Sequence, residues 1–200
     1  MTSIGIVYYS MYGATYELAQ AIAEGVEKGG GTAHLRKVPD PLLPDEVKES
    51  DGVREAIAAQ AEVDTATVDE LPEFDGIVFG SPTRFGSATS QLQSFFDQTG
   101  PLWAGGNLLG KSAGFFTGAS TAHGGHESTI LTMSTFAFHH GMVIVPTGYA
   151  VAGDVQTTRS GGGPYGPTQL GDGEGLTDEE RQIALEYGAH FAQVTEKLAA

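Results

Sequence analysis

The chain has 200 residues, 25 acidic against 10 basic, a formal net charge of -15 and no cysteine. The length predicts one domain over residues 1–200 with a sizeable core. The charge, with no cluster of Lys or Arg, argues against nucleic acid or an anionic membrane as partner, and the missing thiols exclude disulfides, thiolate nucleophiles and cysteine-ligated metal centres. No basic segment precedes the first apolar run, and no run approaches the roughly 20 residues of a membrane span, so a cytoplasmic protein without membrane insertion is expected.

The first element is Ile4-Gly5-Ile6-Val7-Tyr8-Tyr9, apolar without polar alternation, as a strand covered on both faces would be. It breaks into Ser10-Met11-Tyr12-Gly13-Ala14-Thr15, and a helix starting near Tyr16 carries Leu18, Ala19, Ile22, Ala23 and Val26 at helical spacing until Gly29-Gly30-Gly31. Residues 33–38 predict a second strand. Residues 40–69 are acidic without a sustained apolar stripe, and read as a surface connection with short helical pieces, one over 53–61. After a short helix near 68–73 comes the strand Ile77-Val78-Phe79-Gly80, which breaks into Ser81-Pro82-Thr83-Arg84-Phe85-Gly86-Ser87. The next helix turns Leu92, Phe95 and Phe96 inward and is expected to stop at Gly100-Pro101, leaving Leu102-Trp103-Ala104-Gly105-Gly106 as a loop.

A fourth strand over residues 112–116 enters Thr117-Gly118-Ala119-Ser120-Thr121-Ala122-His123-Gly124-Gly125, followed by a helix using Ile130, Met133 and Ala137, and a fifth strand over 142–145. Residues 146–176 show no helical or strand period, and a loop this long in a compact domain is usually functional or disordered. Thr177-Asp178-Glu179-Glu180 is a capping box, opening a last helix whose stripe is Ile183, Tyr187, Phe191, Val194 and Leu198. Strand and helix alternate throughout, the pattern of a parallel α/β sheet.

Three polar turns then follow three strands, and the carboxyl ends of strands are where open α/β sheets bind ligands. The first has hydroxyls, a glycine and a helix N-terminus, suited to a phosphate. The second has Pro82, Thr83, Arg84 and Phe85, a wall for a flat heteroaromatic ring. The third has Gly, Ser and Thr that supply backbone donors to the ring's other edge. A flat ring with a phosphate-ended tail describes FMN. By itself the first turn reads equally as a strand-to-helix turn capped by Thr15. It is neither a Walker loop, lacking Gly-Lys-Ser/Thr, nor a Gly-x-Gly-x-x-Gly dinucleotide fingerprint. His123, His126, Glu127, His139 and His140 lack a telling ligand spacing, so no metal is expected.

Ser10-Met11-Tyr12-Gly13-Ala14-Thr15 resembles the phosphate loop of flavodoxin-like proteins. Together with Ser81-Pro82-Thr83-Arg84-Phe85-Gly86, Gly100-Pro101-Leu102-Trp103, Phe138-His139-His140-Gly141-Met142 and Gly163-Pro164-Tyr165-Gly166, it is similar, in order over nearly the whole chain, to the WrbA-type NAD(P)H:quinone oxidoreductases. The resemblance implies a flavodoxin-like, doubly wound α/β fold with a five-stranded parallel sheet of order 2-1-3-4-5, non-covalent FMN, a homotetramer built as a dimer of dimers, and two-electron reduction of quinones by NADH or NADPH. Carried over by position, it places on the cofactor Ser10, Met11, Tyr12, Gly13, Ala14 and Thr15 in the first turn, and Pro82, Thr83, Arg84, Phe85 and Gly86 in the second. From the third turn it places Thr117, Gly118, Ala119, Ser120, Thr121, Ala122, His123 and Gly124, and it adds His139. Tyr12, Phe85 and Trp103 would line the nicotinamide and quinone pocket, and His139 would be a hydrogen-bond donor to flavin or quinone. The third turn departs from the family, because Ala119, Ala122 and His123 interrupt its Ser/Thr/Gly run, which leaves the register within 118–125 open.

With the flavin supplying the chemistry, nicotinamide and quinone would take one place in turn, which implies ping-pong kinetics. The alternative from another class is a flavodoxin-type electron carrier with no substrate pocket, which acidity favours. The Trp103 segment, residues 146–176 and the Gly163-Pro164-Tyr165-Gly166 motif favour the enzyme, and Tyr165 is a candidate interface anchor.

Overall fold

In a computed structural model, which describes residues 1–171, 173 and 175–200, the strands form one sheet. They are β1 (Ser3–Tyr8), β2 (Thr32–Lys37), β3 (Gly76–Pro82), β4 (Ser112–Ala119), β5 (Val143–Ile144) and β6 (Thr168–Leu170). All pairings are parallel, and the order is β2-β1-β3-β4-β5, with β6 also on β4. The expected order stands, and the sixth strand extends it without disturbing it. β5 pairs with Ser112 and Ala113, whereas β6 pairs with Thr117, Gly118 and Ala119. Two short pieces therefore occupy one edge of β4 in tandem, with residues 145–167 inserted between them.

The helices are α1 (Ala14–Lys28), α2 (Asp45–Lys48), α3 (Val53–Ala59), α4 (Ser90–Asp97), α5 (Gly100–Gly105), α6 (His126–His140), α7 (Gly148–Val151) and α8 (Asp178–Ala199). Side chains alternate across the strands, so each face builds its own core. Ile4, Ile6, Tyr8, Val78 and Phe116 meet Leu18, Ile22 and Val26 of α1 and Tyr187 and Phe191 of α8. Val7, Tyr9, Ile77, Phe79 and Phe115 meet Leu92 and Phe95 of α4 and Ile130, Met133 and Ala137 of α6. Helices on both faces explain the unbroken apolar runs of β1, β3 and β4. Leu198, at the end of the α8 stripe, is half exposed.

Three expectations need correction. The segment after Gly100-Pro101 is helix α5 and not a loop. A proline in a first turn has no N–H to lose and a φ already suited to helix, so Gly100-Pro101 starts a helix instead of ending the previous one. Residues 146–176 hold α7, a 3-10 turn at Gly153–Gln156 and β6, elements too short to show a period. Asp172 and Glu174, within the same stretch, lie outside the described residues. The fifth strand is shorter than 142–145, because β4 pairs with it only at Ser112 and Ala113.

α1 and α8 touch backbone to backbone through two glycines. A Cβ on Gly188 would meet the carbonyl oxygen of Ile22 and come within 2.9 Å of Val26 N, and one on Gly25 would meet Leu185 O. Close helix contact through small residues leaves no slack for a methyl group. Gly188→Ala is expected to lower the unfolding free energy in urea by about 1–3 kcal/mol through overpacking; an unchanged midpoint would show that the helices separate freely.

Candidate functional site

β1 is zipped to both neighbours up to its end, with Tyr9 N donating to Gly80 O (3.0 Å) and Val38 N donating to Tyr8 O (2.7 Å). The chain then leaves the sheet at Ser10 and enters α1 through Gly13, which has φ +93 and gives the helix no side-chain cap. Tyr16 N donates to Ser10 Oγ (3.2 Å) and Glu17 N to Gly13 O (3.0 Å). Among the described residues, the amides of Met11, Tyr12, Gly13, Ala14 and Thr15 have no protein acceptor. Consecutive free N–H groups at the start of a helix form an anion cradle, positive at the N-terminal end of the dipole.

The back of this turn is, by contrast, well tied. Buried Gln60 donates through Nε2 to Ser10 O (3.3 Å) and Ala56 O (2.8 Å), and Lys37 Nζ donates to Gln60 O (2.7 Å). Tyr9 Oη donates to Asp40 Oδ2 (2.6 Å), which also accepts from Gln91 Nε2 (2.9 Å). Burial, then this carboxylate, pushes the Tyr9 hydroxyl well above its ordinary pKa, so it stays a donor.

The second turn leaves β3 after Pro82. Thr83 N donates to Gly118 O (2.9 Å), binding the second turn to the third, and Thr83 Oγ1 donates to Gly124 O (3.3 Å). Arg84 and Ser87 then exchange backbone hydrogen bonds of 2.8 and 3.1 Å across a tight reversal, with φ +54 at Phe85 and φ +81 at Gly86. Two positive φ values are the mark of a type I′ turn. Phe85 at its tip is fully exposed. In the third turn, buried Thr117 donates to Ser81 O (2.6 Å), behind the surface that Gly118, Ala119 and Ser120 present.

The three turns enclose a cavity of about 260 Å³ lined by Ser10, Met11, Tyr12, Ala14, Thr15, Pro82, Thr83, Arg84, Gly118, Ala119, Ser120 and Gly171. Gly13 sits in the first turn without lining it, and neither do Phe85 and Gly86, Thr117, or Thr121, Ala122, His123 and Gly124. Thr121, Ala122 and His123 are exposed. Gly171 has no signal in the sequence; it follows β6, donates to Ala119 O (2.8 Å), and only that three-residue strand marks its place. The cavity is below the roughly 300–1,000 Å³ that buries a whole drug-sized ligand, which suits a cofactor seated by its tail and one ring face while the other stays open. Free amides, hydroxyls and one guanidinium fit the phosphate, ribityl and ring groups of FMN.

Trp103 and His139 are elsewhere. They line a cavity of about 510 Å³ among α4, α5 and α6, with Ser87, Asp97, Thr99 and Phe136 on its walls. The Arg84–Ser87 reversal separates the two cavities, with Arg84 lining one and Ser87 the other. Within this second site buried His140 Nε2 lies 3.0 Å from Thr99 Oγ1. Thr99 gives its proton to Phe96 O (2.7 Å), so the network assigns the ring proton to Nε2. Burial, with a smaller effect from His139, holds the His140 pKa below its ordinary value.

Over residues 5–157 the sequence matches the NADPH-dependent FMN reductase family. It is 49% identical over 198 residues to a protein of Geobacter sulfurreducens named NAD(P)H dehydrogenase (quinone), covering 96% of this chain and 97% of the relative. A protein of the same name from Geobacter metallireducens is 46% identical, with 96% and 97% covered. The fold resembles the crystal structure of a flavodoxin, WrbA-like protein from Agrobacterium tumefaciens, with TM-score 0.65 and 24% identity, covering 98% of this chain and 99% of that one. A flavodoxin from the domain Archaea has TM-score 0.64 and 19% identity, with 97% and 99% covered.

His140 generates a pH effect on stability. Its folded pKa is depressed, so above about 6.5 both folded and unfolded forms are neutral and it contributes no pH slope. As pH falls below the unfolded value, the unfolded chain takes a proton that the folded one resists, and stability declines until the folded pKa is passed. His190, also depressed by burial, acts in the same direction. His140→Gln should therefore flatten part of the fall in urea midpoint below pH 6.5, and an unaltered slope would assign the effect to other groups.

Proposed function

The chain belongs to the NADPH-dependent FMN reductase family, and from that membership we infer that it is an FMN-dependent NAD(P)H dehydrogenase (quinone). The observation that carries the cofactor assignment is the run of free amides from Met11 to Thr15 at the head of α1. We read residues 1–200 as one FMN-binding domain, placed in the cytoplasm; none of the described helices is long and apolar enough to cross a membrane.

When bound, FMN supplies acceptance of a hydride from NADH or NADPH and delivery of two electrons to a quinone. The protein's part is to bind and orient. The cradle from Ser10 to Thr15 takes the phosphate, Pro82, Thr83 and Arg84 flank the ring, and Gly118, Ala119 and Ser120 face the ribityl chain and the ring's second edge. In this reading Gly13, Phe85, Gly86, Thr117, Thr121, Ala122, His123 and Gly124 act as the flanks of those turns. In the same reading Tyr12, 65% exposed, and exposed Phe85 receive nicotinamide and quinone. One shared place makes the two substrates alternate. In the assay, purified protein with FMN consumes NADH when benzoquinone is added, with parallel initial-velocity lines, and Gly13→Val holds no flavin because a β-branched residue resists φ +93. No NADH loss would sink the enzyme, and intersecting lines the shared place.

Trp103 and His139 line the other cavity of their own chain, so their assignment to substrate and flavin depends on assembly. Exposed Phe85, Trp103, Leu131 and Phe138 support a second copy covering this side. A homotetramer, a dimer of dimers, would let Trp103 and His139 of one copy approach the flavin cavity of another, with His139 as hydrogen-bond donor. Sedimentation should give the tetramer mass, and a monomer would remove Trp103 and His139 from the site.

A further inference from the structure

Glu180 is fully buried, and none of the ion pairs among the described residues involves it. Its charge is met by donors alone. Oε1 accepts from Ser160 Oγ (2.8 Å), Gly161 N (2.8 Å) and Leu170 N (2.7 Å), and Oε2 accepts from Thr177 N (2.9 Å). Both carboxylate oxygens, with about four lone-pair sites between them, are thus engaged. A helix cap needs only the Thr177 bond. The three donors on Oε1 come from the segment that runs into β6, and they converge from 10, 19 and 20 residues away.

β6 is a three-residue edge held on one side by β4. A strand this short has few ladder bonds, and its outward N–H groups have no strand to receive them. Leu170, its last residue, gives its N–H to Glu180. The next residue is Gly171, which donates to Ala119 O and lines the cavity beside Ala14 of the first turn. Gly161 has no side chain at the point where the carboxylate arrives; a Cβ there would lie 2.6 Å from Oε1.

We propose that Glu180 is a positioning residue for the cofactor, pinning residues 160–170 so that β6 stays against the end of β4 and Gly171 forms a wall of the FMN cavity. This rests on the FMN assignment above. A carboxylate suits the task because one oxygen receives three donors, and bonds to an ionised acceptor are stronger than neutral ones. Glutamine keeps the size, but its NH2 group would face a backbone donor, at Thr177 or in the pinned segment.

The test compares three variants well below their unfolding temperatures. Glu180→Gln removes the charge and one acceptor. Ser160→Ala removes one donor on the segment side. Thr177→Val removes the cap that Oγ1 gives Glu180 N (3.2 Å) while keeping the Thr177 N–H bond to the carboxylate. FMN titration followed by flavin fluorescence should give a dissociation constant raised about tenfold in Glu180→Gln and about threefold in Ser160→Ala, from the loss of one or more hydrogen bonds. Thr177→Val should lower the apoprotein melting temperature and leave FMN affinity within about twofold, since a cap contributes to helix stability alone. Wild-type FMN affinity in both Glu180→Gln and Ser160→Ala would overturn the proposal. So would an equal loss in Thr177→Val for the same fall in melting temperature. If Glu180→Gln does not fold, Ser160→Ala decides. A wild-type chain that binds no FMN would remove the underlying reading, whereas variants that bind as well as wild type remove only this inference.

Discussion

Five consecutive backbone amides that meet no acceptor among the described residues are the constraint around which this structure is built. Such groups are costly to hold away from water, and Thr15 is buried. The chain holds them in place from behind. Gln60 takes the Ser10 carbonyl into its own network, Asp40 anchors Tyr9 and Gln91, and the β1 ladder runs to Tyr9. Gln60 ties the turn as a donor from behind, whereas the amides at its front meet no acceptor among the described residues and are left for a ligand. The parallel sheet brings the second and third turns to the same edge, where Thr83 N and Gly118 O join them.

An anion cradle on a chain of net charge -15 needs a short-range field. Exposed acidic side chains farther than about 8–10 Å away are screened by salt, whereas free amides act within one helical turn. Among the described residues that line the cavity, Arg84 is the one cation. Neutral donors also make binding directional: a phosphate must meet N–H vectors fixed by Gly13 and by α1, and a diffuse basic patch would impose no such geometry.

Much of this is legible in the sequence wherever structure is local. The strands at residues 4–9 and 77–80, the turns at their carboxyl ends and the capping box at Thr177 all obey rules spanning a few residues, and the sheet order comes with the resemblance. The misses are non-local. Gly100-Pro101 reads as a stop or as a start depending on whether residues 102–105 continue as helix, and α5 is too short to declare itself. β6 exists because the end of β4 has an open edge, and nothing within Thr168-Gln169-Leu170 announces that. Glu180 reads as a cap and is one, since both reciprocal bonds are present. Its three other donors belong to residues whose approach only the fold decides. Position alone puts Trp103 and His139 with the flavin, and in the single chain they line the neighbouring cavity.

The Arg84–Ser87 reversal connects these levels. A side chain with φ near +54 costs about 1–3 kcal/mol, and Phe85 has it beside a glycine that would adopt it freely. Burial of a phenylalanine is worth about 1.5–3 kcal/mol, enough to offset that strain, yet this ring is the most exposed of the large apolar side chains. Burial therefore contributes nothing against that strain, since the ring is fully exposed. The turn is held regardless by the paired backbone bonds of Arg84 and Ser87 and by Gly86 N on Thr83 Oγ1 (3.3 Å). It stands between the cavity assigned to FMN and the one lined by Trp103. The apolar surface of Phe85 is therefore free to be covered from outside, by a flat substrate at the flavin edge or by another copy of the chain, and the substrate role and the assembly proposed for this protein meet at that one residue.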